Sequence, residues 1–351
     1  MTQSVVLFVV GLGLISFGAD WLVRGATTLA ERLGISSLVI GLTVVAFGTS
    51  APELFVSAAA SLDGRPGTAV GNVMGSTAAN VGLIVGLGAL IRPISVHRRL
   101  VVRETPLVIF VLAIVMVLSL NGMLGKLEGL ALLAGWALYL VFLFRWGVRD
   151  AEMQTPGDLE DDDLSFGPRA ILDEEKVAGS NQSQSAKAAR KGDSTLALSL
   201  FRIAVGLPCL IYGANWLLDG AEAIAIYLKV PEPVIAASMV AVGTSLPELA
   251  ATLVAAFRGM SDLAIGNVIG SNVFNLGLVL GTAALLGPLQ LAPFIVVQFV
   301  LPALAFSVLL IPLAITGGRV NRPEGALLLT LYILYVVSIF KIDPMGGSGV
   351  L

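Results

Sequence analysis

Apolar residues run along this chain in long blocks separated by short polar breaks. Crossing a bilayer takes ~20 mostly apolar residues, and on that measure about ten blocks qualify. They lie near 4–22, 36–60, 68–91, 104–120, 127–146, 198–217, 232–257, 263–287, 291–315 and 323–341. The first block starts at Ser4 without a basic run before it or an obvious small-residue cleavage site, so it reads as a retained helix rather than a leader. A polar stretch from Gly147 to Thr195 separates five blocks from five. The pattern predicts an all-α polytopic membrane protein with a unit at 1–146, a linker at 147–197 and a second unit at 198–351. The linker carries Asp158, Glu160, Asp161, Asp162, Asp163, Asp173, Glu174 and Glu175, and its composition is that of a solvated, largely disordered connection.

Composition agrees with the pattern. Only 13% of residues are charged, where a soluble domain carries about 25%, so a water-exposed surface could not be covered. A single cysteine, Cys209, excludes an internal disulfide, and a single histidine, His97, excludes multi-histidine metal sites. The net charge of −3 gives no reason to expect a nucleic-acid partner. Basic residues sort by side. Arg24, Arg32, Arg92, Arg98, Arg99, Arg103, Arg145, Arg149, Arg258, Arg319, Arg322 and the basic residues of the linker share one set of loops, with Arg202 beside them. The other set holds only Arg65, Lys126, Lys229 and Lys341. The basic side is expected to be cytoplasmic, which puts the linker inside and both termini outside a cell membrane.

The two units repeat each other. Gly-Ala-Asp-Trp-Leu at 18–22 returns as Gly-Ala-Asn-Trp-Leu at 213–217, and Gly-Thr-Ser-Ala-Pro-Glu-Leu at 48–54 returns as Gly-Thr-Ser-Leu-Pro-Glu-Leu at 243–249. Gly-Asn-Val-Met-Gly-Ser at 71–76 returns as Gly-Asn-Val-Ile-Gly-Ser at 266–271, and in all three cases the offset is 195 residues. Five spans per unit is an odd number, so the second unit enters the membrane from the opposite side and the repeats are inverted. Such repeats bring equivalent residues together near the bilayer midplane.

The repeated blocks carry the chemistry. Glu53 and Glu248 are acids inside apolar spans, with no basic residue in the nearby spans to pair with them. A carboxylate facing lipid is costly, so each is expected to face a cavity, a partner or an ion. Pro52 and Pro247 lack the N–H that would bond the carbonyls of Gly48 and Gly243, which predicts broken helices with spare backbone oxygens. Thr49 and Ser50 precede Glu53 by one helical turn, as Thr244 and Ser245 precede Glu248. Asn72, Ser76 and Asn80 form one polar stripe, and Asn267, Ser271 and Asn275 its counterpart, with Asn80 expected to face Asn275. This is a set of hard oxygen ligands suited to Ca²⁺, Mg²⁺, Mn²⁺ or Na⁺. Two carboxylates match the charge of one divalent cation.

Both blocks resemble the alpha repeats of the sodium/calcium exchanger family, within the cation/Ca²⁺ exchanger superfamily. The resemblance covers both repeats and the ten-span plan and leaves only the linker outside. It implies an antiporter rather than an enzyme, with Ca²⁺ and Na⁺ as transported ions and no cofactor. It also implies an ion-holding core of spans two, three, seven and eight, across which spans one and six slide. By resemblance, Glu53 and Glu248 are the central Ca²⁺ carboxylates; Thr49, Ser50, Thr244 and Ser245 supply hydroxyl and carbonyl ligands. Ser76, Asn80 and Ser271 match ligands on spans three and eight, and Ala46 and Ala241 match positions whose carbonyls help coordinate Na⁺. Asn275 stands where many family members carry Asp, a departure that bears on coupling ion, stoichiometry and K⁺ dependence. The short linker leaves no room for Ca²⁺-sensing sandwich domains, which resembles a minimal prokaryotic form.

Other readings compete with these. Gly71, Gly75, Gly266 and Gly270 suit helix packing, and Asn72 and Asn267 could bond across helices instead of binding an ion. Asp20 and Asn215 read as solvated helix ends, and Trp21, Trp136, Trp146 and Trp216 as an interfacial belt. An intramembrane hydrolase would need a base, and Ser50 and Ser245 have no His or Lys in adjacent spans. A cation channel could also use an oxygen-lined site. Proton-coupled Ca²⁺ exchange is the nearest alternative, since buried carboxylates can take up protons. Its Gly-Asn-x-x-Glu pattern is absent, because Gly71-Asn-Val-Met and Gly266-Asn-Val-Ile continue without an acid.

The charge asymmetry makes a prediction about sidedness. In a background lacking Cys209, cysteines placed at Ser95 and Ser180 should resist a membrane-impermeant thiol reagent added outside intact cells. Labelling of either from outside would reverse the orientation.

Overall fold

Backbone polar groups have no water to bond in a bilayer core, so apolar blocks must close their hydrogen bonds internally as helices. The computed structural model describes residues 2–96, 100–118, 122–153, 196–229, 243–315 and 317–341, and among these the apolar blocks are mainly helical. The helices are α1 (Thr2–Leu33), α2 (Ser37–Thr49), α3 (Ala51–Leu62), α4 (Pro66–Ile91), α5 (Thr105–Leu118), α6 (Lys126–Met153) and α7 (Leu196–Tyr227). They continue with α8 (Leu246–Phe257), α9 (Ser261–Leu286), α10 (Pro293–Ile315) and α11 (Arg322–Lys341). Among the described residues, seven helices are long and apolar enough to cross a membrane, and the bent pair α2–α3 makes an eighth. The other two of the ten expected blocks are α5, which follows a π-helical turn at Leu100–Glu104, and α8. Residues 230–242, the upstream part of the seventh expected block, lie outside the described residues, as do 97–99 and 154–195.

Three boundaries differ from expectation. Helices α1 and α7, the first and sixth expected spans, are each 32 residues long, extending well past Leu22 and Leu217. The residues beyond include the good helix formers Ala26, Leu29, Ala30, Glu31 and Arg32, and α1 stops at Gly34, whose φ of +63° suits glycine. The polar stretch expected from Gly147 also begins as helix, since α6 continues to Met153.

The inversion is visible in how α1 and α7 pack. A Cβ on Gly18 would meet Gly206 O and Leu210 N at 2.7 Å, and a Cβ on Gly213 would meet Ile15 N at 2.7 Å and Gly11 O at 3.0 Å. Gly18 and Gly213 are counterparts 195 positions apart, and so are Gly11 and Gly206. Each contact is therefore the image of the other. Position rises on one helix as it falls on the other, from Gly25 beside Ser199 to Gly220 beside Ser4. Two equivalent helices in antiparallel, self-complementary contact define a two-fold axis across the helices, lying in the membrane plane. Glycine is needed here because backbone meets backbone.

Two short antiparallel ladders tie the units together. In one, β1 (Ile94–Ser95) pairs with β4 (Arg319–Val320); in the other, β2 (Met123–Leu124) pairs with β3 (Leu289–Gln290). The first joins the loop after the third span to the loop before the tenth. The second joins the loop after the fourth span to the loop before the ninth. Alternation over ten spans places each pair of loops on one membrane face, and the two ladders on opposite faces. Apolar packing falls into two clusters: α1, α7 and α8 share one, while α4, α5, α6, α9, α10 and α11 dominate the other.

Two sequence readings are corrected. Asp20 is not a solvated helix end: it lies inside α1, ion-paired with Arg24 one turn on and with Arg258 after α8. Trp136 is not at an interface. Its ring packs edge-on against Phe274 at 5.4 Å and over Gly277, because α6 lies along α9.

Gly18→Val and Gly213→Val should each lower thermal stability in detergent by about 1–3 kcal/mol, the usual cost of overpacking. Gly13→Val is the control, because a Cβ there meets nothing within 4 Å. Equal unfolding temperatures for the three variants would contradict the packing described.

Candidate functional site

The site is built at two matched helix breaks. Ser50 (φ −82°, ψ 5°) and Ser245 (φ −87°, ψ 7°) leave helical geometry in nearly the same way, just before the Pro-Glu pair that opens α3 and α8. Proline is tolerated there because a first-turn N–H has no helical partner. The axes of α2 and α3 meet at 46°. Glu53 and Glu248 fall in the first turns of α3 and α8, where unpaired N–H groups and the helix dipole favour a negative charge. In α4 and α9, Asn80 and Asn275 each open a π-helical segment, a local widening frequent at functional sites.

These elements bring the expected residues together. Glu53 and Glu248 are buried, at 0% and 1% exposure, as are Thr49, Ser50, Ser76, Asn80, Ser245, Ser271 and Asn275. Ser76 Oγ donates to Glu53 Oε1 (3.4 Å), and Ser50 Oγ donates across the two units to Glu248 Oε1 (3.1 Å). Ser76 Oγ also lies 3.3 Å from Thr244 Oγ1. The Ala46 carbonyl accepts from Ser50 N (3.0 Å) and lies 3.4 Å from Thr49 Oγ1. Ala241 lies outside the described residues. The carbonyl of Gly243, expected to be spare, accepts from Leu246 N (3.4 Å), because the chain tightens at the break.

The two stripe asparagines have a bracing role. Asn267 donates to Thr252 Oγ1 (3.0 Å) and Glu248 O (3.5 Å), and accepts from Thr49 Oγ1 of the other unit (3.3 Å). Asn72 mirrors it, donating to Ser57 Oγ (2.9 Å) and Glu53 O (3.2 Å) and accepting from Thr244 Oγ1 (3.1 Å). Both ends of each amide are committed. Thr244 Oγ1 donates to Asn72, and the Thr49 hydroxyl is shared between Asn267 Oδ1 and the Ala46 carbonyl. Of the glycines expected at helix contacts, Gly266 and Gly270 pack against α2 and Gly71 against the Phe299 ring. Gly75 meets nothing among the described residues.

Several buried oxygens have no hydrogen-bond partner among the described residues: Glu53 Oε2, Glu248 Oε2, Asn80 Oδ1, Asn275 Oδ1 and Ser271 Oγ. Buried polar atoms are almost always paired, so such a group marks a place for a ligand. Among the described residues neither carboxylate makes an ion pair. An array of acceptors with two formal negative charges suits a cation. Sequence reasoning missed Asn272, whose Oδ1 accepts from Asn80 Nδ2 at 2.9 Å in place of the expected Asn275. Its one signal is that position 77, the counterpart, holds Thr where 272 holds Asn.

Comparison with known proteins fits this geometry. The profile of the family described as "Sodium/calcium exchanger protein" matches residues 3–145 and 198–341. A putative antiporter, CaxA, of Alkalimonas amylolytica is 35% identical over 97% of this chain and 100% of its own. The sodium/calcium exchanger MaX1 of Methanosarcina acetivorans is 34% identical over 97% of this chain and 100% of its own. A solved structure of the sodium-calcium exchanger NCX_Mj, soaked with Na⁺ and Sr²⁺, superposes with a TM-score of 0.76 at 30% identity, covering 96% of this chain and 99% of that one.

The two classes of polar residue should behave differently on substitution. Asn72→Leu and Asn267→Leu each strand several buried groups, and should each lower thermal stability by about 1–3 kcal/mol. Ser271→Ala removes an oxygen that bonds nothing among the described residues, and should leave the stability of the ion-free protein near wild type. Comparable losses for all three would remove the distinction between braces and ligands.

Proposed function

The chain belongs to the sodium/calcium exchanger family and is a multi-pass antiporter of the exchanger type; from this premise we propose that it exchanges Ca²⁺ for Na⁺ at the cluster between α2–α4 and α8–α9. The observation that carries the reading is the pair of buried carboxylates, each with one oxygen bonded by a serine and one without a partner among the described residues. Their combined charge of two balances one Ca²⁺, and Thr49, Ser50, Ser76, Asn80, Thr244, Ser245, Ser271 and Asn275 complete a shell of hard oxygens. The resemblance adds Ala46 and Ala241 as carbonyl ligands for Na⁺, of which Ala241 lies outside the described residues. A vacant site with two bare charges in an apolar wall is costly, so the unloaded carrier resists reorientation and flux proceeds by exchange.

The two approaches to the site differ, which supports alternating access. Helix α1 covers α8, where Ala251 is 2% exposed, while its counterpart Val56 on α3 is 40% exposed. The Asp20–Arg258 ion pair fastens the covered side. At the equivalent place the residues are Asn215 and Asp63, which cannot form an ion pair. With the basic loops assigned to the cytoplasm, the covered side is the inner one. The reading places the units 1–146 and 198–351 as the two halves of the carrier in a cell membrane, with termini outside and 147–197 inside.

The test is Ca²⁺ uptake into proteoliposomes. An imposed Na⁺ gradient should drive it, and a pH gradient alone should not; the reverse would assign proton coupling. Uptake that needs no counter-ion on the far side would indicate a channel. Glu53→Gln and Glu248→Gln should each reduce Na⁺-driven uptake at least about tenfold, which requires only ~1.4 kcal/mol of lost ion binding. Wild-type uptake by either variant would remove the proposed site.

A further inference from the structure

We propose that Asn272 is a positioning residue that turns the Asn80 amide so that its oxygen, and not its nitrogen, is presented to the transported cation. The proposal deepens the site reading above and rests on it. Asn80 Nδ2 donates to Asn272 Oδ1 at 2.9 Å, and both residues are wholly buried. An amide has a donor end and an acceptor end, and only the oxygen can bind a cation. With its NH₂ committed to Asn272, Asn80 is left with Oδ1 buried and without a partner among the described residues. That oxygen belongs to the stripe on which Ser76, one turn earlier, reaches Glu53. The opposite pairing, with Asn80 accepting from Asn272, would turn a positive NH₂ edge toward the place the cation needs.

The other unit lacks this device. The counterpart of Asn272 is Thr77, whose hydroxyl donates to its own helix at Val73 O (2.8 Å). Asn275, the counterpart of Asn80, has neither side-chain end bonded among the described residues. Two positions with the same residue therefore differ: Asn80 has its nitrogen bonded and its oxygen forward, whereas Asn275 has neither end bonded among the described residues. A one-residue difference between repeats makes the central site asymmetric without changing its formal charge.

The test compares Asn272→Thr, which copies the opposite repeat, with Asn272→Asp, which keeps an acceptor for Asn80. Apparent KM and Vmax for Na⁺-driven Ca²⁺ uptake are measured in proteoliposomes, and the Ca²⁺ concentration giving half-maximal thermal stabilisation in detergent reports binding separately. Asn272→Thr should raise KM and the half-stabilising concentration about fivefold, the scale of one hydrogen bond's net worth, with Vmax nearly unchanged. Asn272→Asp should recover most of that affinity. The decisive arm is Asn80→Asp, where both ends are oxygen and orientation no longer matters. Adding Asn272→Thr to Asn80→Asp should cause no further rise in KM. An equal rise in both backgrounds, or no rise in the native background, would overturn the proposal and leave the pair as a structural tie. If Asn272→Thr does not fold, Asn272→Leu takes its place in the same cycle. A wild type neither transporting nor stabilised by Ca²⁺ would overturn the functional reading and this proposal together.

Discussion

Two carboxylates buried without an ion-pair partner among the described residues set the conditions for everything around them. Moving a charge out of water costs far more than a folded protein's net stability unless hydrogen bonds, dipoles or a counter-ion replace the lost solvent. Here the replacement is partial. Each acid sits in the first turn of a helix and accepts one serine hydroxyl, and each keeps one oxygen without a partner among the described residues. On the function proposed, a bound cation meets the remaining deficit, as a proton does when the cation is absent.

Holding two negative charges close together in a membrane requires a rigid frame, and the frame is made by exchange between the units. Asn267 of one unit holds Thr49 of the other, and Asn72 reciprocates with Thr244. Ser50 reaches Glu248 across the same boundary. Neither unit could build its half of the site alone. The breaks at Ser50 and Ser245 make this possible, since they free backbone and side chains at membrane depth only where protein surrounds them.

The long helices α1 and α7 sit apart from this frame in their packing. Glycines bring their backbones together from Ser4 beside Gly220 to Gly25 beside Ser199, and they share an apolar cluster with α8 rather than with most of α4 and α9. Their contact with the frame includes an apolar cluster, the Asp20–Arg258 ion pair and a bond from Thr27 Oγ1 to Met260 Sδ (3.5 Å). A pair bound tightly to itself and more lightly to its neighbours can move as one body, which is what access from alternate sides requires.

Much of this was legible in the sequence, because the relevant physics is local or repeated. Apolar length marks a span wherever its neighbours lie, the constant offset of 195 residues fixes the inversion, and an acid after proline in an apolar run has few other uses. Glu53, Glu248 and their hydroxyl neighbours were read on those grounds. Contacts between distant residues left no such trace. Nothing near Asp20 announces Arg258, and nothing near Trp136 announces Gly277. The bracing of Asn72 and Asn267, and the pairing of Asn80 with Asn272 rather than Asn275, depend on which helix faces lie within about 3 Å of each other. A hydrogen bond is decided by that distance and by the angle of approach, and the tertiary structure alone supplies both.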